Sequence, residues 1–156
     1  MEVYQARENQ TDQVYQLTAR VIREVFPFYY PGPVVDFFLN LHGREQILED
    51  IRQGKVYLLR DGGEWVGTGT WSRNHLSRIF VRTDCQKKGY GGFLMDFLEE
   101  KCAQAGTSVL IEASLPGAGF YEKRGYKTFC HRSTPVGEGY MLVYEIMRKK
   151  LQKKEF

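Results

Sequence analysis

Three closely spaced glycines, Gly89, Gly91 and Gly92, lie between an apolar strand pattern and an amphipathic helix pattern. Glycine removes the side chain where a strand turns into a helix, so backbone N–H groups can converge on an anion. The partial positive charge at a helix start adds to this attraction, and Lys87 and Lys88 bring further cationic groups. The loop therefore predicts a phosphate or pyrophosphate site at a strand–loop–helix junction.

Two common phosphate-binding motifs do not fit this loop. A nucleotide-hydrolase loop requires G-x-x-x-x-G-K-[S/T], and no such string occurs in the sequence. A dinucleotide fingerprint requires G-x-G-x-x-G, but Leu94 stands where the third glycine belongs. That fingerprint also normally follows the first strand of a domain, whereas several elements precede this loop. The loop is therefore neither a nucleotide-hydrolase loop nor a dinucleotide-binding loop.

The spacing of apolar residues predicts the elements around the loop. Before the glycines it predicts a strand over Val3–Arg7, a helix from Thr11 that Pro27 stops, a broken helical stretch over about Val34–Gln53, a hairpin over Val56–Trp71 and a strand over Leu76–Arg82. After them it predicts a helix ending near Gly106, a strand over Val109–Ala113, a helix over Pro116–Lys123 and strands over Tyr126–Cys130 and Tyr140–Met147.

This order of elements predicts the fold class. We expect an α/β fold with a mixed, largely antiparallel twisted sheet of about seven strands and helices on both faces. Residues 1–156 should form a single domain, because the length suits one domain and no repeat or linker interrupts it. The basic end, Arg148–Lys154, is expected to be solvated.

Composition limits the expected binding partners and the expected cellular compartment. Lys and Arg number 22 against 19 Asp and Glu, and a net charge of +3 is too weak to indicate nucleic acid. No apolar run approaches the ~18 residues of a membrane span. The cysteines and histidines lack metal-ligand spacing, so no metal site is expected, and free thiols suit a reducing cytoplasm. We therefore expect a cytoplasmic protein with neither membrane nor nucleic-acid partner, and a homodimer stays open.

Two segments resemble one known family. The string Gln86-x-x-Gly89-x-Gly91 resembles the coenzyme A pyrophosphate loop of the GCN5-related N-acetyltransferase (GNAT) family. The segment 114–126, with Tyr121-Glu122-Lys123 at its centre, is similar to the family pattern N-x-x-A-x-x-hydrophobic-Tyr-Glu-Lys-x-Gly-Phe. Ser114 and Gly117 stand where the family often has Asn and Ala. The element order also matches over nearly the whole chain.

The resemblance implies an acetyl-CoA-dependent N-acetyltransferase. Such an enzyme transfers the acetyl group to a primary amine of a small molecule or peptide by direct attack in a ternary complex. The alternative is a non-catalytic acyl-CoA-binding module of the same fold, which the retained Tyr121 disfavours. The cofactor-binding residues that the resemblance implies are Ile79, Phe80, Val81, Gln86, Lys87, Lys88, Gly89, Tyr90, Gly91, Gly92, Ser114, Phe120 and Tyr121.

The resemblance also implies catalytic roles. The strand Ile79–Val81 should splay away from the next parallel strand, with the Val81 N–H as oxyanion donor and Tyr121 as general acid. His75 is a candidate base, because strand parity predicts that it shares a face with Ser77, Ile79 and Val81. A surface role for His75, Glu112 as the base, or a water chain are the alternatives.

The acceptor site is expected between the segments 26–38 and 131–140. In the first segment Phe28, Tyr29 and Tyr30 could form an aromatic cage for a cation, and in the second Glu138 could pair with an amine. The alternative for the three aromatic residues is that they fill the core.

Overall fold

The computed structural model describes residues 1–152. The strands are β1 (Glu2–Gln5), β2 (Val56–Asp61), β3 (Glu64–Ser72), β4 (His75–Val81), β5 (Ser108–Ala113), β6 (Lys127–Gly137) and β7 (Tyr140–Lys150). The helices are α1 (Thr11–Val25), α2 (Gly32–Leu41), α3 (Arg44–Arg52), α4 (Tyr90–Ala105) and α5 (Leu115–Lys123). Short 3-10 turns lie before α1, between α1 and α2, and between β4 and α4.

The strands form one sheet of seven, in the order β1-β2-β3-β4-β5-β7-β6. Among residues 1–152, β4 and β5 pair in parallel and every other neighbouring pair is antiparallel. Helices α4 and α5 pack on one face of this sheet, and α1, α2 and α3 pack on the other. The predicted α/β fold class, with its mixed and largely antiparallel sheet, is confirmed.

The core follows the apolar stripes of the helices. Leu94, Leu98 and Cys102 are fully buried on α4 against Leu76 and Ile111 of the two parallel strands. Each buried leucine contributes about 1.5–3 kcal/mol through removal of apolar surface from water. This packing seats the start of α4 beside the end of β4, where the glycine-rich loop connects them. In the part of the chain that the structure describes, no helix combines the length and apolarity needed to cross a membrane.

The last hairpin is longer than its apolar pattern predicts. We expected β6 to end at Cys130 and β7 at Met147, but they reach Gly137 and Lys150. The extra residues of β6 are mostly exposed and carry no apolar alternation, so their conformation depends on pairing with β7. Positive φ at Glu138 (52°) and Gly139 (78°) matches the tight turn that joins such strands. Arg148 and Lys150 of the predicted solvated end are exposed although they belong to β7, Lys149 is half-buried, and Lys153 and Lys154 lie outside the described residues.

A bulge in β4 changes the predicted strand parity. Thr68 pairs with Phe80 but Thr70 pairs with Ser77, so β4 has an extra residue relative to β3. Arg78 occupies the bulge with a φ of 48°, which is left-handed backbone. Leu76 and Ile79 consequently pack against the same core cluster, although simple alternation would put them on opposite faces.

Candidate active site

A cleft opens where β4 and β5 separate. The two parallel strands pair through His75–Leu110 and Leu76–Ile111, and no further pair follows among the described residues. A cavity of about 320 Å³ occupies the gap. Its wall is formed by Phe26, Phe37, Phe38, Leu41, His42, Ser77, Arg78, Ile79, Phe80, Ile111, Glu112, Ala113, Ser114, Tyr121, Thr134, Leu142 and Tyr144. The splaying expected at Ile79–Val81 is therefore present, and it begins after Leu76.

The backbone of Val81 is directed toward this gap. The Gln86 side chain donates from Nε2 to the Val81 carbonyl over 3.1 Å, whereas the Arg82 N–H donates to Val66 of β3 over 2.9 Å. N–H and C=O of one strand residue point to the same side, and neighbouring residues alternate. The Val81 N–H therefore points away from β3, on the side where β5 has separated.

The glycine-rich loop exposes the first turn of α4. Gly89 precedes the helix with a φ of 86°, and Phe93 makes the first backbone bond of the helix, to Gly89, over 3.1 Å. The preceding N–H groups, of Tyr90, Gly91 and Gly92, lack partners within the helix because of their position in its first turn. A Cβ on Gly91 would lie 3.2 Å from the Phe120 ring, so this glycine lets α5 approach the loop closely.

Ion pairs hold the loop against its surroundings. Arg82 donates to Asp84 over 2.7 Å, and this contact lowers the pKa of Asp84 to about 2. Thr83 donates a hydrogen bond to Glu24 of α1. The Tyr90 hydroxyl donates to Asp61 over 2.6 Å, which lowers the pKa of that carboxyl. Lys87 and Lys88 are exposed, so they can attract an anion.

Helix α5 supplies a buried phenol to the cavity. Tyr121 is 8% exposed, and its ring packs edge-on against Phe120 and Tyr126, with centroids 5.5 and 5.8 Å away. Burial raises the pKa of Tyr121, so the hydroxyl stays protonated at neutral pH. Among residues 1–152 this hydroxyl has no hydrogen-bond partner. Ser114 lies at the start of α5 and also lines the cavity.

The structure separates His75 from the cavity and brings Glu112 to it. The bulge at Arg78 places His75 on the face opposite Ile79 and Val81, so the parity argument for His75 is wrong. Within residues 1–152, the cavity wall includes Glu112 but does not include His75. Glu112 thus lines the gap, and because it alternates with Ile111 and Ala113, which pack with Tyr121, it belongs to the opposite face of the sheet.

The four predicted acceptor-binding residues do not meet in one place. Phe28 is 86% exposed and Tyr29 is 52% exposed. Tyr30 instead packs on Phe26 and Phe38, and its hydroxyl accepts the Leu115 N–H of α5 over 2.7 Å. Glu138 lies in the turn at the hairpin tip, and among residues 1–152 the cavity wall includes none of Phe28, Tyr29, Tyr30 and Glu138. The predicted cage of three aromatic residues is therefore not formed.

Sequence reasoning missed a buried polar group in the cavity wall, the side chain of Arg78. Arg78 contacts His42, Asp50 of α3 and Thr70 of β3. His42 is 36 positions from Arg78, so spacing along the chain does not indicate their contact. One signal was available: Leu76 and Ile79 are apolar but out of phase, and such a slip around a polar residue indicates a bulge.

Solved structures share this fold. A GCN5-related N-acetyltransferase from Rhodopseudomonas palustris superposes with a TM-score of 0.86 at 19% identity, over 96% of this chain and 95% of that chain. The PaiA N-acetyltransferase from Thermoplasma acidophilum, determined in complex with coenzyme A, has a TM-score of 0.73 at 14% identity, over 96% and 98% of the chains. The fold is therefore that of the acyl-CoA N-acyltransferases.

Sequence comparison then identifies the family. The model of the acetyltransferase (GNAT) domain matches residues 30–150. The chain is also 30% identical over 98 residues to the uncharacterized N-acetyltransferase YjcF of Bacillus subtilis strain 168, covering 60% of this chain and 70% of that protein. This chain belongs to the GNAT family of acetyltransferases, and the predicted family and enzyme class are confirmed.

Proposed function

We propose that this enzyme transfers an acetyl group from acetyl-CoA to a primary amine of a small molecule or peptide, by direct attack in a ternary complex. The observation that carries the proposal is the gap between β4 and β5, which ends beside the open first turn of α4. The gap would take the extended pantetheine arm, and the helix start would bind the pyrophosphate. The relative from Thermoplasma acidophilum was determined in complex with coenzyme A, which supports this donor.

The loop residues fit a pyrophosphate. The N–H groups of Gly91 and Gly92 lie in the first turn, and a Cβ on Gly89 would meet nothing within 4 Å, which leaves open space for a ligand. Lys87 and Lys88 would add positive charge, while the Gln86 side chain holds the loop to Val81. Along the gap, Ile79, Phe80 and Ser114 would line the pantetheine arm, and Phe120 and Tyr90 would pack beside the loop.

Two groups would act on the thioester. Acetyl-CoA, when bound, supplies the acetyl group as a thioester that amines attack. The Val81 N–H is oriented to donate to the acyl oxygen as negative charge develops there, and one such donor is worth about 3 kcal/mol. Tyr121 would give its proton to the departing sulfur, because its ring is buried while its hydroxyl is protonated, lines the cavity side and is not bonded to another described residue.

We assign proton removal from the amine to Glu112 in place of His75. Glu112 lines the cavity from the face of the sheet opposite Tyr121, so that base and acid would lie on either side of the reacting carbon. A water bridging to Glu112 would serve equally as the path of the proton. E112Q is expected to lower the rate on the order of 10²-fold.

Binding and turnover together test the proposal. Isothermal titration with acetyl-CoA should give saturable binding, and release of free thiol should require an added amine. Binding without amine-dependent thiol release would contradict the transfer reaction and favour a module that only binds acyl-CoA. Failure to bind acetyl-CoA, with binding of a longer acyl-CoA, would show that the donor is wrong.

A matched pair of glycine variants tests the loop itself. Gly89 and Gly139 both have left-handed φ, 86° and 78°, and neither has an atom within 4 Å of an added Cβ. G89A and G139A should therefore cost similar stability, about 1 kcal/mol each. Only G89A should weaken acetyl-CoA binding, on the order of tenfold. Equal affinities for the two variants would exclude the loop as the pyrophosphate site.

A further inference from the structure

His42 ends α2 at the cavity wall, and its imidazole is held in one protonation state. The Nε of Arg78 lies 3.2 Å from Nδ1 of His42. A guanidinium has donors and no acceptor, so Nδ1 must accept this bond and carries no proton. In a neutral imidazole the proton then lies on Nε2, which makes that nitrogen a hydrogen-bond donor.

A chain of buried contacts fixes Arg78 in turn. Its terminal nitrogens donate to Asp50 over 3.0 Å and to Thr70 over 3.1 Å, and the Arg78 side chain is 4% exposed. Each of its three nitrogens is thus committed to a different partner, and its charge is balanced by Asp50. Arg78 is therefore not free to bind an anionic substrate, and it serves to orient the imidazole.

The His42 imidazole stays neutral, with its proton on Nε2, at neutral pH. Burial, and then the charge of Arg78, lower the pKa of His42 to about 3. Arg78, balanced by Asp50, is the charged group against His42, while Phe80 packs edge-on to its ring with centroids 6.0 Å apart. A histidine in this setting cannot act as the general base at neutral pH, but it can donate from Nε2.

The rest of the acceptor side is mostly apolar, although Ser77 and Thr134 also belong to the cavity wall. Phe37, Phe38, Leu142 and Tyr144 line it together with Phe80, and Glu112 is its carboxylate. An uncharged donor beside aromatic side chains suits an uncharged oxygen next to an apolar group. A substrate carboxylate would find no unpaired cation in the part of this wall that the structure describes.

We propose that His42 is a specificity residue that donates from Nε2 to a carbonyl oxygen of the acceptor, which is an amine bearing an uncharged amide and an apolar side group. An amide of an apolar amino acid and the N-terminal residue of a peptide both belong to this class. The inference rests on the proposed acetyl transfer to an amine. Arg78 is a positioning residue, which acts by holding Nδ1.

Three amines of one shape test the acceptor class. Phenylalaninamide carries the uncharged carbonyl, phenethylamine lacks it, and phenylalanine carries a carboxylate. The wild-type kcat/KM, calculated on the concentration of neutral amine at the assay pH, should favour phenylalaninamide over each of the other two by on the order of tenfold, the value of one hydrogen bond. H42F should reduce this ratio to about one, while H42Q, which keeps an amide N–H, should preserve most of it.

Equal ratios in the wild type and H42F would overturn the inference, and so would a wild-type preference for phenethylamine or phenylalanine. If none of the three amines is acetylated, the acceptor class is wrong. Thiol release with other amines in the same assay would then show that the proposed function survives.

A second readout does not depend on turnover. Nitrogen NMR of histidine-labelled protein, with H42Q assigning the signal, should show His42 neutral from pH 5 to 8 with its proton on Nε2. Titration of His42 within that range, or a proton on Nδ1, would overturn the inference even if the kinetic ratio were as expected.

Discussion

Replacing Tyr121 by phenylalanine should separate catalysis from stability. The substitution removes one hydroxyl, which has no hydrogen-bond partner among residues 1–152, and keeps the ring that packs on Phe120 and Tyr126. Because no hydrogen bond is lost and the ring keeps its packing, the free energy of unfolding should change by less than about 1 kcal/mol. The rate should nevertheless fall, because the departing sulfur loses its proton donor.

The size of that fall follows from the acidities involved. A thiol with a pKa of ~8.5 leaves passably as an anion, and a phenol is already a weak acid with a pKa of ~10. Burial raises the pKa of Tyr121 further, which weakens it as an acid and keeps it protonated throughout neutral pH. We therefore expect kcat to fall by about 10²-fold or less, at the small end of acid–base effects.

Tyr126 provides the matched control. It is also a buried phenol, but its hydroxyl donates to Glu99 over 2.9 Å. Y126F should lose about 1.5–3 kcal/mol of stability, as for a bond to a charged group, with kcat retained. Thiol release measures kcat, and urea unfolding measures stability. The role of Tyr121 would be refuted by unchanged kcat in Y121F, or by equal losses of kcat in the two variants.

Three further results are expected from other parts of the molecule. Glu99 is 9% exposed and accepts from Lys149 over 3.1 Å and from Arg124 over 3.2 Å, so E99A should cost about 1–3 kcal/mol in urea unfolding because these half-buried cations lose a charged partner; a loss below about 0.5 kcal/mol would contradict this. G69A should lower the free energy of unfolding by about 1–3 kcal/mol, because its Cβ would lie 2.6 Å from a fully buried Leu98 methyl. Urea unfolding of the variant and the wild type at the same pH measures this loss. The pKa of His42 is lowered to about 3 in the folded protein, so its contribution to stability is complete above pH ~6.5 and is lost as pH falls. Between pH 7 and pH 5 the free energy of unfolding should therefore decrease by up to about 1.4 kcal/mol per pH unit, and this decrease should be smaller in H42Q. Identical slopes in the wild type and H42Q would refute the expectation.

The sequence predicts those helices and strands whose ends are set by residues within the element or directly beside it. Pro27 ends α1 before the 3-10 turn, and Gly89 precedes α4 with the left-handed φ that its position requires. Such residues act on the backbone beside them, so a single sequence reveals them. The second half of β6 has no such signal, because its exposed residues form a strand through pairing with β7.

In the candidate site too, positions fixed by local sequence were predicted, and positions fixed by contacts between distant segments were not. Gln86 and Gly89 lie within one loop, and Tyr121 lies in one helix turn, so short patterns reveal their positions. His75 was misplaced because parity assumes a regular strand, and the bulge at Arg78 breaks it. Whether Glu112 faces the cavity depends on where β4 leaves β5, which is a property of two strands together.

The bulge at Arg78 links the shape of the cleft to the acceptor wall. The extra residue bends β4 relative to β3, while β5 stays paired with β7 as far as Ala113, so the two parallel strands part after Leu76. The same residue turns its guanidinium into the protein, where burial requires polar partners. Asp50 and His42 meet this need from α3 and the end of α2, and they are thereby fixed to the strand that opens the gap. A change in the acceptor wall at His42 must therefore act on the geometry of β4, and through it on the thioester side of the same cavity.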